Sequence, residues 1–83
     1  MKNVELQKAM LVILSRLDGI AVRESVLAKE AEIAIKHPIT TEEFQGEMKE
    51  LLGTRRVKRD FDPFGEALYE ITGVGKDALM GRG

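Results

Sequence analysis

Eighty-three residues allow one domain, and at this length the fraction of surface that folding buries is modest. Hydrophobic residues make up 43% and charged residues 33%, which argues against disorder, and the absence of cysteine excludes disulfides and thiolate zinc sites. The net charge of −1, from 13 basic and 14 acidic residues, excludes a generally basic nucleic-acid coat, so any electrostatic attraction has to be local.

The longest apolar run is Ala9–Leu14, far short of the roughly 20 residues of a transmembrane helix. No stretch of signal-peptide type is seen near Lys2. The expectation is a cytoplasmic domain over residues 1–83, without membrane contact or cofactor. There is no internal repeat or linker, and Gly81-Arg82-Gly83 reads as a loose tail.

Asn3 is placed to cap a helix, after which Leu6, Met10, Ile13, Leu14 and Leu17 form one apolar face. Asp18-Gly19 stops it, glycine tolerating a left-handed conformation. Val4, Leu11 and Val12 lie off that face, so this helix is either covered on a second side or self-associates. Leu11 and Val12 are the candidates for a homodimer contact, and burial under a C-terminal segment explains them equally well. Gly19-Ile20-Ala21-Val22 suits a brief strand. Residues 24–36 return to helical spacing, with Leu27, Ala31, Ala34 and Ile35 on one face, and Pro38 forces His37 out of helical angles.

Thr40 followed three residues later by Glu43 predicts a capping box, with Ile39 and Phe44 flanking it as a hydrophobic staple. Phe44, Met48, Leu51 and Leu52 give the buried face of this third helix, and Gly53 is expected to end it. Asp62-Pro63-Phe64-Gly65 places each residue where a type I turn favours it. It joins Arg56–Phe61 to Glu66–Ile71 as a hairpin with Val57, Tyr69 and Ile71 inward. A short helical stub then follows Thr72-Gly73-Val74-Gly75, with Ala78, Leu79 and Met80 expected to cover the core.

This order resembles the winged helix-turn-helix fold over roughly residues 4–80: an α+β domain of three helices, a short strand and a C-terminal hairpin wing. The run Tyr69-Glu70-Ile71-Thr72-Gly73-Val74-Gly75, followed by Leu79, is similar to the Y-x-[LI]-T-x-x-G-x-x-x-L ending of small bacterial and archaeal winged-helix transcriptional regulators. Leu52-Gly53 leading to Val57 is similar to their L-x-x-x-G-x-V approach to the wing, at a different spacing. The resemblance implies a DNA-binding domain whose third helix lies in the major groove while the wing tracks the backbone. Fold alone does not establish function.

The inventory argues against catalysis. His37 is the one histidine and reads as a solvated loop residue. Glu30 with Glu32, and Glu42 with Glu43, point in different directions on their helices. Glu43, Glu47 and Glu50 share a face, expected to be the outer one. Gly73-x-Gly75 lacks the context of a phosphate loop.

Two functional classes remain. For double-stranded DNA, the resemblance implies that Thr41, Gln45 and Lys49 face base edges and phosphates, with Arg55, Arg56, Lys58 and Arg59 gripping the backbone. Gly46 then allows close approach, though packing between helices inside the domain explains it as well. Charge opposes this class. In the third helix four glutamates stand against Lys49, net −3, while residues 53–59 carry +4 and residues 60–71 carry −4. Each exposed carboxylate near a phosphate costs ~0.5–1 kcal/mol. The alternative is a protein partner meeting Glu42, Glu43, Glu47, Phe61 and Phe64, with one of the two phenylalanines expected to fold back on the hairpin. The basic cluster has its own structural explanation in pairs with Glu47, Glu50 and Glu70, worth ~0–1 kcal/mol each.

Overall fold

A computed structural model describes residues 3–81 of the chain. Asn3 caps helix α1 (Val4–Arg16), its Oδ1 accepting from the Leu6 N–H at 3.0 Å. Leu6, Met10 and Leu14 are buried as the spacing predicts. Leu11 is buried too, which removes it as a dimer contact, and Val12 is half-buried. The C-terminal helix packs on α1 and supplies the second covered side.

Strand β1 is Val22–Arg23, shorter and later than the expected Gly19–Val22. Gly19 is left-handed at φ +84° and the Ile20 N–H turns back to Leu17 O, so this backbone is committed to a turn. Helix α2 (Glu24–Ile35) buries Leu27 and Ala31 and packs Ala28 and Ile35 beside them. Ala34, expected inside, is exposed, because the covered arc runs through 27, 28, 31 and 35.

Helix α3 (Thr41–Gly53) begins with both halves of the capping box. Thr40 Oγ1 accepts from the Glu43 N–H at 3.0 Å, and Glu43 Oε1 accepts from the Thr40 N–H at 3.2 Å. Phe44, Met48 and Leu51 enter the core. Glu47 does as well, against the expectation of an outer face. It is 8% exposed and accepts from Gln7 Nε2 at 2.7 Å. Position 47 sits at the edge of the 44–48–51 arc, where α1 packs, and the amide of Gln7 makes burial of the carboxylate tolerable.

Gly53 does not supply the left-handed stop. The Arg56 N–H reaches back to Leu51 O at 3.0 Å and the Arg55 N–H to Leu52 O at 3.1 Å. That closes a Schellman-type turn in which Arg55 takes φ 61°, where glycine is usual.

Strands β2 (Val57–Phe61) and β3 (Ala67–Ile71) form the wing, and β1 adds to the other edge of β3, giving the antiparallel order β1-β3-β2. At the turn, Asp62 Oδ1 accepts from the N–H groups of Phe64 and Glu66, and Gly65 takes φ +87°. Val57, Ala67, Tyr69 and Ile71 fill the inner face of the sheet.

Helix α4 (Gly73–Leu79) follows without a break. Thr72 caps it, accepting from the Gly75 N–H, and the same hydroxyl donates to Arg55 O while the Thr72 N–H donates to Arg56 O. A Cβ at Gly75 would overlap Arg56 O and press on Ile71 Cγ1 at 2.8 Å. The glycine is what lets α4 seat on this loop. Leu79 packs on the core as expected, while Met80 is 59% exposed because the helix ends one residue before it. Of the expected tail, residues 82–83 lie outside the described residues.

Candidate nucleic-acid interface

Helix α3 turns Phe44, Glu47, Met48 and Leu51 inward, so Thr41, Glu42, Gln45, Gly46 and Lys49 form its exposed side. A Cβ added at Gly46 would meet nothing within 4 Å. The internal-packing explanation of this glycine therefore fails. It sits in a helix interior on the outside of the molecule.

The four basic residues after α3 do not act as one cluster. Alternation along β2 sends Lys58 and Arg59 to opposite faces of the sheet. Arg59 lies opposite Tyr69 in the register and lines a groove of about 620 Å³ with Gln45, Lys49, Leu52 and Gly53 of α3. Its guanidinium also lies 5.5 Å from the Phe61 ring centroid. Lys58 lies opposite Glu70 and pairs with it at 3.7 Å, on the other side of the wing. Arg56 lines a separate cavity with Val4, Gln7, Leu11 and Leu79, between α1 and α4. Arg55 is exposed at the left-handed turn that ends α3. Sequence proximity had suggested one patch, but the strand period and the pinned loop separate it.

The expected neutralisation of this cluster is correspondingly limited. Among the described residues, no carboxylate forms an ion pair with Lys49, Arg55 or Arg59, and Glu47 is turned away to Gln7.

The other flank of α3 has the opposite character. Glu24, Glu32 and Glu66 line a groove there with Ile39, Phe44 and Gln45. These carboxylates are engaged: Glu32 Oε2 accepts from the Ile39 N–H at 2.8 Å, and Glu66 Oε2 accepts from the Ser25 hydroxyl at 2.8 Å. Glu24 Oε1 accepts from both Gln45 Nε2 and the Tyr69 hydroxyl, each at 2.8 Å. Tyr69 is fully buried and meets the Phe44 ring edge-on, centroids 6.1 Å apart. Burial, with the hydrogen bond and negative charge of Glu24 adding to it, pushes the Tyr69 hydroxyl up to about 12, and Arg59 opposes the shift. Glu24 was absent from the sequence-derived candidates. Its helix-starting position gave no hint of partners 21 and 45 residues away.

At the wing, both phenylalanines are outside. Phe61 is 57% exposed and lies against Arg59 of its own hairpin, whereas Phe64 is 94% exposed at the tip. Asp60 is exposed beside them and Asp62 is half-exposed, holding the turn. His37 is exposed in the α2–α3 turn. Among the described residues there is no group of three or more His, Asp or Glu side chains placed to hold a metal ion, and no helix is long and apolar enough to cross a membrane.

No protein-family model matches the chain, and no curated protein matches it. A solved structure that does match is RosR of H. salinarum, 19% identical, with a TM-score of 0.77. The match covers 92% of this chain and 66% of that one, so the chain spans just under two thirds of the length of RosR. The likeness is one of fold, and the fold is the winged helix.

Proposed function

We propose that this chain is a non-catalytic DNA-binding module, a small transcriptional regulator or an accessory protein, that grips duplex DNA with α3 and the groove between α3 and β2. The observation that carries the reading is the convergence of Lys49 and Arg59, from two different elements, on one groove beside Gln45, with no carboxylate partner among the described residues. Cations held without internal compensation on neighbouring elements suit phosphates. Arg55, exposed at the end of α3, extends the same charge, and Thr41 lies one turn before Gln45. Arg56 and Lys58 are left out of the contact.

The charge objection to this reading weakens in part once two of the four glutamates of α3 are placed, while Glu42 stays on its exposed side. Glu47 is buried against Gln7, and Glu43 folds back on Thr40. Glu47 is withdrawn from an approaching backbone, while Glu43, though exposed, is held at the start of the helix. Gly46 adds a second line of support. A glycine in a helix interior costs about 1 kcal/mol relative to alanine, and nothing inside the domain recovers it. Close approach by an outside body does.

A mobility-shift assay on random-sequence duplex across a salt series tests the reading. Affinity should fall steeply with salt, and K49A and R59A should each lower the slope by about one. Absent or salt-independent binding at low salt sinks it. A second reading rests on Phe64: an almost fully exposed aromatic on a hydrogen-bonded turn, in a wing that also carries exposed Asp60, suits a protein with a basic-rimmed apolar recess better than it suits a phosphate backbone. F64A separates the two, because the DNA reading expects no loss from it.

A further inference from the structure

We infer that Gln45 is the base-reading side chain of α3, and that Glu24 and Tyr69 act as positioning residues that hold its amide in one orientation. The inference rests on the DNA reading above and goes further, since a phosphate-gripping module needs no fixed amide. A carboxylate only accepts hydrogen bonds, so the Gln45 nitrogen has to face Glu24 and its carbonyl oxygen has to face away. The same Glu24 oxygen is held from below by the Tyr69 hydroxyl. Tyr69 is in turn fixed by burial and by its edge contact with Phe44 of α3 itself. The clamp therefore stands on the core and not on a loop, which is the condition for a preset recognition group.

Held this way, Gln45 offers one acceptor and one remaining N–H side by side. That pattern matches the N6–H donor and N7 acceptor that adenine presents in the major groove. Gly46, next along the helix and free of a side chain, leaves room for the backbone to come close. The ligand class is accordingly duplex DNA with an adenine at a defined position. Specificity is set partly by two residues, one on α2 and one on β3, that touch no base.

Selection of bound sites from a randomised duplex library tests this, with the salt slope measured alongside and folding checked by circular dichroism. The wild-type chain should enrich adenine at one position by about tenfold or more. Q45A should lose that enrichment and keep its salt slope. E24A should lose most of it as well, while E24Q, whose amide oxygen still accepts from Gln45, should retain it. Y69F, which removes the hydroxyl from below, should lower the enrichment by about threefold. Salt-dependent binding with the same base preference in wild type, Q45A and E24A overturns the clamp and leaves the DNA reading standing. Loss of salt-dependent binding in the wild type overturns the DNA reading itself. Should E24A not fold, an unchanged preference in Y69F overturns the clamp by itself.

Discussion

Two glycines mark two different regions of this molecule. Gly75 stands at the seam where α4 meets the Arg55–Arg56 loop, and the space a side chain would take there is filled by Arg56 O and Ile71. Gly46 stands on the outer side of α3, where the same space is empty. The first glycine is explained by the fold. The second weakens its helix and gains nothing inside the domain, and the proposed contact with DNA gives it a reason. The difference marks where stability stops accounting for the sequence and where the proposed contact with a partner is to be tested.

The largest effect is expected at the seam. G75A forces a Cβ into a backbone oxygen that Thr72 holds in place, so α4 or the loop has to shift. We expect about 3 kcal/mol of destabilisation, read as a lower midpoint in urea unfolding. A loss below about 1 kcal/mol would mean that the seam yields easily and that the contrast between the glycines is false.

Tyr69 links the two regions, its ring lying in the core and its hydroxyl donating to Glu24, which also accepts from Gln45 of α3. With that hydroxyl pushed up to about 12 in the folded state, against 10.0 ordinarily, the unfolded chain releases its proton first as pH rises. Stability is fully present below about pH 10 and falls towards pH 12, by about 2 kcal/mol in total. Y69F lacks this loss. The stability gap between wild type and Y69F should therefore narrow across that window in parallel denaturation series. A constant gap would show that the hydroxyl is not buried against Glu24 as described.

On the outer side of α3 the sign reverses. G46A should stabilise the domain by about 1 kcal/mol through helix propensity. It should also weaken binding several-fold, because a methyl group then stands between α3 and its partner. Gain in both stability and affinity would refute close approach at this glycine.

The local signals were readable in the chain, and the long-range ones were not. Each letter of the Y-x-I-T-x-x-G-x-x-x-L ending has a physical role: Tyr69 and Ile71 fill the core, Thr72 caps α4, Gly75 admits the loop, and Leu79 packs. The capping box at Thr40 and the hairpin at Asp62 were legible for the same reason, since each is decided within about four residues. Glu47 was misplaced because its partner, Gln7, lies 40 residues away. The basic run looked like one patch because sequence spacing does not show which face of β2 a residue takes until register and neighbours are fixed. Glu24 was overlooked as a site residue because two elements other than its own give it meaning.

The smallest expected effect is the sharpest test of Arg55. Among the described residues, two non-glycine residues are left-handed, Lys36 at φ 57° after α2 and Arg55 at φ 61° after α3. Each is exposed and each closes a helix, with His37 N–H reaching Glu32 O in one case and Arg56 N–H reaching Leu51 O in the other. A side chain in this conformation costs about 1 kcal/mol relative to glycine. K36G and R55G should therefore both stabilise the domain, by about 0.5–1 kcal/mol, in thermal or urea unfolding. Their effects on binding should part. Lys36 lies in the α2–α3 turn, outside the proposed contact, and its replacement should leave affinity unchanged. Arg55 continues the charge of the α3–β2 groove, so R55G should weaken binding to duplex and lower the salt slope by about one. Equal behaviour of the two variants in the binding assay would reduce Arg55 to a strained helix stop and confine the DNA contact to Lys49, Arg59 and Gln45.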